Sequence, residues 1–161
     1  MISQKAKYAF HALIALARAD DTLLAREIAD QENIPRKFLE QILLDLKRHG
    51  ILQSRRGRTG GYALLEPANR ITFGKVLRIV DGPVAPLPCL SRIAYRPCPD
   101  CGPEEDCEIR RVFAKVAEAA RDVLDRTTIA DAISVDSLLK TVSRLESAES
   151  NPALVRTLQG I

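Results

Sequence analysis

Four cysteines fall within nineteen residues of this chain: Cys89, Cys98, Cys101 and Cys107. Thiolates ligate zinc and iron–sulfur clusters, and they oxidise to disulfides or sulfenic acids. Cys98-Pro99-Asp100-Cys101 brings two sulfurs close on one turn, as a metal or cluster site requires. Residues 82–107 also hold six of the nine prolines, so no regular element runs through them. Packing alone does not explain this many thiols in an irregular loop. Three chemistries stay open on the residues: a cluster, a zinc ion closed by four cysteines, or a metal-free thiol switch. The only histidines, His11 and His49, lie outside the loop. His49, beside Gly50, reads as a helix-end residue, and His11 as a partly buried residue of the first helix.

A second chemistry is cationic. Residues 47–58 contain Lys47, Arg48, Arg55, Arg56 and Arg58 and no acidic residue. Gly57 lies in that stretch and Gly60 and Gly61 follow just beyond it, which suits a loop that grips phosphate. Net charge is only +3, but residues 1–80 carry 14 Lys/Arg against 8 Asp/Glu and the remainder 10 against 13. A basic front half suits attraction to nucleic acid. Enzyme chemistry finds no support. No Ser/His/Asp set is present, no βαβ pattern surrounds the C-x2-C, and the glycines lie between two strands, not between strand and helix.

The elements that must position these groups are mostly helical. Apolar Ala6, Phe10, Leu13, Ile14 and Ala17 make one stripe of a helix over 3–19. A short helix over 24–31 turns at Glu32-Asn33-Ile34 into a second, 35–48, whose stripe is Phe38, Leu39, Ile42, Leu43 and Leu46. Two such helices form a helix-turn-helix, the second being the reader. Strands at 51–53 and 62–65 flank the arginine–glycine turn as a wing, and a helix over 72–81 begins at the cap Thr72. The fold class expected is mainly α with a small β-hairpin wing: a winged helix-turn-helix plus a long helix.

That long helix, Glu105 to Arg126, carries Ile109, Val112, Phe113, Val116, Ala120, Val123 and Leu124 on one stripe. The winged helix is largely complete by residue 81, so this stripe has little of its own domain left to cover it. Dimerisation is the reading, and a two-fold protein suits a two-fold operator. The units expected are 1–81 for DNA binding, 82–107 as a cysteine-rich sensor loop, 108–132 for dimerisation, and a partly mobile extension over 133–161. Lys5 and Lys7 before an apolar run superficially resemble a signal peptide. His11 interrupts that run, Arg18 stands where a small cleavage residue should be, and no segment spans a bilayer. A cytoplasmic, membrane-free protein is expected.

Particular residues carry a family resemblance. They are Lys5-Ala6-Lys7-Tyr8-Ala9, the reader segment Phe38-Leu39-Glu40-Gln41, and the wing Arg56-Gly57-Arg58-Thr59-Gly60-Gly61-Tyr62-Ala63-Leu64. On these, over roughly residues 1 to 132, the chain resembles the IscR/NsrR/CymR-type winged-helix transcriptional regulators. The resemblance implies a homodimer on a double-stranded DNA operator. It implies DNA contacts from Arg36, Lys37 and Gln41 on the reader and from Arg55, Arg56, Arg58 and Gly60 on the wing, with Lys5 and Lys7 adding phosphate contacts. Gln41 suits adenine, and an arginine suits guanine or a narrow minor groove. The resemblance further implies an iron–sulfur cluster, two-iron two-sulfur, on Cys89, Cys101 and Cys107. Cys98 is additional to the family's pattern, as fourth ligand or spare thiol. Zinc, or no metal, are the alternatives.

Overall fold

The computed structural model describes residues 2–57, 60–99 and 101–134. Its core is built around α1 (Gln4–Arg18), which starts where the Ser3 hydroxyl accepts the Ala6 N–H at 3.0 Å. The expected stripe holds at Ala6, Phe10 and Leu13, but Ile14 and Ala17 are only half-buried, while Ala9, Ala12, Ala15 and Leu16 are buried as well. The reason is that α1 is enclosed on several sides, by the reader helix, the helix after the wing and the second wing strand. Alanines let those neighbours approach closely. His11 is exposed, contrary to expectation, with Nδ1 2.8 Å from the Glu32 carboxylate.

The helix-turn-helix follows as α2 (Ala25–Gln31) and α3 (Arg36–Arg48). The Glu27 carboxylate accepts the Leu24 N–H at 2.8 Å and so closes the start of α2. Asn33 turns the chain with φ +52°, and the Ile34 N–H is taken by the Ala29 carbonyl at 2.9 Å. Leu39, Ile42, Leu43 and Leu46 fill the inward face of α3. Phe38 does not join them: it is 44% exposed and meets Tyr8 edge-on, ring centres 5.8 Å apart. Leu39 and Ile42 already occupy the inward positions beside it. Leu43 has no exposed surface, so Leu43→Ala should lower unfolding free energy by about 2–5 kcal/mol. Chemical denaturation checks this, and a loss under about 1 kcal/mol would mean the core collapses around the gap.

The wing pairs β1 (Leu52–Arg55) with β2 (Gly61–Leu64), Leu52 opposite Leu64 and Arg55 opposite Gly61. Leu23 adds one residue of a third strand. Its N–H donates to the Tyr62 carbonyl at 3.0 Å, and the Tyr62 N–H donates back at 2.8 Å. This is where glycine is required: at Gly61, φ +150°, a Cβ would stand 2.7 Å from the Leu23 carbonyl oxygen. Thr72 caps α4 (Phe73–Val80) as expected, accepting the Lys75 N–H at 3.1 Å, and Phe73 stacks on Phe10 with ring centres 4.4 Å apart.

The long helix, α5, runs Glu108–Arg126. It starts later than expected because Glu104–Asp106 forms a 3-10 turn and Cys107 becomes the cap. On its inner side, Ala117 is buried and Leu124 half-buried. Gly74 of α4 leaves room for Asp125, which takes Arg78 in a two-pronged ion pair at 2.6 Å. The outer side holds Ile109, Val112, Phe113, Val116 and Val123, all exposed. After α5 the chain returns to the core: the Ile129 N–H donates to the Ile71 carbonyl at 2.9 Å, and Ile129 is 0% exposed. A further helix begins at Ile129. The remainder of the expected 128–147 helical region, and the extension to Ile161, lie outside the described residues.

Candidate functional site

Arg36, Lys37 and Gln41 are all exposed on α3, and Arg55 and Arg56 are exposed at the end of the wing. Arg58 lies outside the described residues. Arg36 Nε donates to Glu40 at 2.9 Å, and Gln41 Nε2 donates to Asp45 at 3.1 Å. Lys47 Nζ donates to the Ser54 hydroxyl at 2.6 Å and ties the reader to the wing. Two expected contacts change character. Lys5 is committed to Asp45 at 2.9 Å, a contact that holds the Asp45 carboxyl below the usual carboxylate range. It joins α1 to α3 instead of standing free, whereas Lys7 is exposed. Gly60 is buried and its N–H donates to the Gly57 carbonyl at 3.0 Å, so that N–H is not offered to a phosphate. A Cβ there would stand 2.6 Å from the Arg55 carbonyl oxygen, which makes Gly60 a residue of the turn itself.

One cation was not picked out by the sequence. Arg26 of α2 lines, with Arg36 and Arg55, a hollow of about 450 Å³ between α2, α3 and the wing. Its signal was its place on the first helix of the pair, the one that crosses the duplex backbone in this motif.

All four cysteines border a second hollow, of about 260 Å³. Cys89 sits in a 3-10 turn, Pro88–Leu90, and is buried; Cys98 and Cys101 are exposed; Cys107 is intermediate. The Cys107 sulfur caps α5, accepting the Arg110 N–H at 3.4 Å. The Cys101 thiol is pushed up to about 12, chiefly by a hydrogen bond with Cys98, with Cys107 adding to it. Bare thiols this close resist ionising together. Among the described residues, no three His, Cys, Asp or Glu side chains already converge as a metal cage. The sulfurs surround a space; they do not yet meet at a point.

The same hollow is bordered by Tyr95, Glu104 and Arg110, none of them singled out by the sequence. The Tyr95 hydroxyl donates to Glu104 at 2.5 Å, and Arg110 Nη2 reaches the other Glu104 oxygen at 3.1 Å. Arg110 Nε is buried and, among the described residues, has no hydrogen-bond partner. Four sulfurs together with a guanidinium N–H that has no acceptor suit a thiolate-ligated, negatively charged group. On α5, Arg121 Nη1 donates at 3.3 Å to the Leu90 carbonyl, beside Cys89.

Comparison with known proteins agrees with this architecture. Residues 2–135 match the Rrf2 family, described as iron-dependent transcriptional regulator. The rrf2-like HTH-type transcriptional regulator of Rhodobacter capsulatus is 47% identical over 139 residues, 83% of this chain and 93% of that protein. The HTH-type transcriptional regulator IscR of Erwinia tasmaniensis is 27% identical over 150 residues, covering 92% of this chain and 87% of its own. The structure of CymR, the global cysteine regulator of Bacillus subtilis, superposes with a TM-score of 0.69 at 29% identity, covering 84% of this chain and 97% of that one. None of these is an enzyme, and among the described residues no helix is long and apolar enough to cross a membrane. With its reader helix, its wing and a family match across most of its length, this chain belongs to the Rrf2 family of winged-helix, DNA-binding transcriptional regulators.

Proposed function

We propose that the protein acts as a homodimer that binds duplex DNA through α3 and the wing. In this reading, Cys89, Cys98, Cys101 and Cys107 hold an iron–sulfur cluster whose presence or oxidation state switches that binding. One observation carries the proposal: the four thiols border a single hollow at the start of α5, the helix whose outer face is apolar and uncovered. When bound, a cluster supplies a redox-responsive crosslink among these thiolates. The chain's own residues supply the coupling. Cys107 caps α5, and the turn carrying Cys89 is held to α5 through Arg121. Ligation therefore fastens the loop to the helix that would pair the protomers. Since α5 packs on α4, and α4 on α3, it favours one spacing of the two readers. A metal-free thiol switch is the second reading, favoured by the closeness of exposed Cys98 and Cys101.

Anaerobic purification with visible absorbance and iron, zinc and sulfide analysis tests the centre. Iron with sulfide supports the cluster; bare thiols with DNA binding that responds to peroxide move the switch to the second reading. DNA affinity that stays flat as salt rises would overturn the grip itself. Replacing both Arg55 and Arg56 by alanine should weaken operator binding by at least about tenfold and flatten the salt dependence by about one unit of slope per lost phosphate contact. Fluorescence anisotropy across a salt series measures both. An unchanged slope removes these two side chains from the interface.

A further inference from the structure

Arg110 stands out among the groups around the thiol hollow. It is a permanent cation, it lines the hollow, and its Nε is shut away from solvent without a partner among the described residues. A buried, unmade donor of this kind is unfavourable unless something accepts from it. Its other end is already engaged, with Nη2 on Glu104 at 3.1 Å, so the side chain is held in place there. Glu104 is held in turn by the Tyr95 hydroxyl at 2.5 Å. The backbone N–H of the same Arg110 donates to the Cys107 sulfur at 3.4 Å. One residue thus gives a main-chain donor to Cys107 and a wall of the space the sulfurs surround, and carries a guanidinium N–H left without an acceptor.

A divalent ion or a two-iron cluster on four thiolates has a net negative charge, and in the described hollow Arg110 is the only cation to meet it. We propose that Arg110 is the charge partner of an anionic tetrathiolate centre, donating Nε–H to its sulfur shell. This rests on the reading of the four cysteines as ligands. It holds for zinc and for an iron–sulfur cluster alike, because the shared feature is the negatively charged shell of sulfurs. Glu104 then has an opposing role: it orients Arg110 but also subtracts from its charge.

Opposite roles make the test sharp. The apo protein is titrated anaerobically with Co²⁺, whose absorption reports thiolate ligation. A second sample is reconstituted with Fe²⁺ and sulfide, and its midpoint potential is measured. Arg110→Gln should weaken Co²⁺ binding by about 10- to 100-fold, the loss typical of an outer-sphere partner, and should make the cluster harder to reduce. Glu104→Gln should shift both quantities the other way. A latch role, with the Glu104–Arg110 bridge merely holding the loop, predicts that both variants fall in the same direction, and that result overturns the proposal. So does unchanged Co²⁺ affinity in Arg110→Gln, with the parent binding normally. Circular dichroism verifies that each variant folds. A parent protein that takes up neither Co²⁺ nor a cluster overturns both this assignment and the ligand set beneath it.

Discussion

If α5 pairs the protomers as proposed, a Val112→Glu, Val116→Glu double variant should run as a monomer under conditions in which the unsubstituted protein runs as a dimer. Operator affinity should fall by roughly 10²-fold or more, since the gain from linking two half-sites is of that size. The two valines are 62% and 52% exposed and lie with Ile109, Phe113 and Val123 on the face of α5 turned away from α4. Five large apolar side chains on one helix face make a patch that an isolated protomer gains nothing by showing to water. Burying a new carboxylate there, without a partner, opposes association by several kcal/mol on the order expected for an uncompensated charge. Within one protomer the same positions touch little, so helix content and the unfolding midpoint should hardly move. Sedimentation velocity reads the assembly state directly. A double variant that still sediments as the parent does places the dimer contact elsewhere.

The second large effect concerns the sulfurs. Cys89→Ala, Cys101→Ala and Cys107→Ala should each abolish the visible absorbance of anaerobically prepared protein and reduce its iron to background. The three differ in their side effects. Cys107→Ala also removes the acceptor that caps α5, a loss of about 1 kcal/mol on the usual scale of such caps. Cys89→Ala opens a small gap in a buried wall, and Cys101→Ala, at an exposed position, should leave stability unchanged. A loss of colour common to all three, set against unequal changes in stability, would identify ligation as the cause. Colour that persists in every variant would exclude these residues as ligands.

What the sequence made legible followed from periodicity. The reader helix declared itself through Leu39, Ile42, Leu43 and Leu46, and the wing through paired strands around an arginine–glycine turn. Thr72 was readable as a cap for the same local reason. Contacts between distant segments were not legible. Nothing in the local pattern showed that Leu23 pairs with Tyr62, that Ile129 returns to the core, or that Lys5 is taken up by Asp45. Phe38 fits the apolar period of α3 yet lies outside the core, because the period gives a face and not how far the neighbours extend over it. Around the cysteines the spacing drew attention to sulfur alone. Tyr95, Glu104 and Arg110 matter only once the loop has folded back on α5, and their letters resemble any solvated charge run.

The bridge between Leu23 and Tyr62, with the Lys47 to Ser54 contact, clamps hairpin and helix into one stiff fitting. A stiff fitting cannot swivel to follow a target that has been turned. Inserting a single base pair between the two halves of a palindrome rotates one half by about 35° around the duplex axis. In the two-fold assembly proposed above, tolerance for altered spacers would therefore reside in the joint between subunits, the same joint that the proposed sulfur switch would act on.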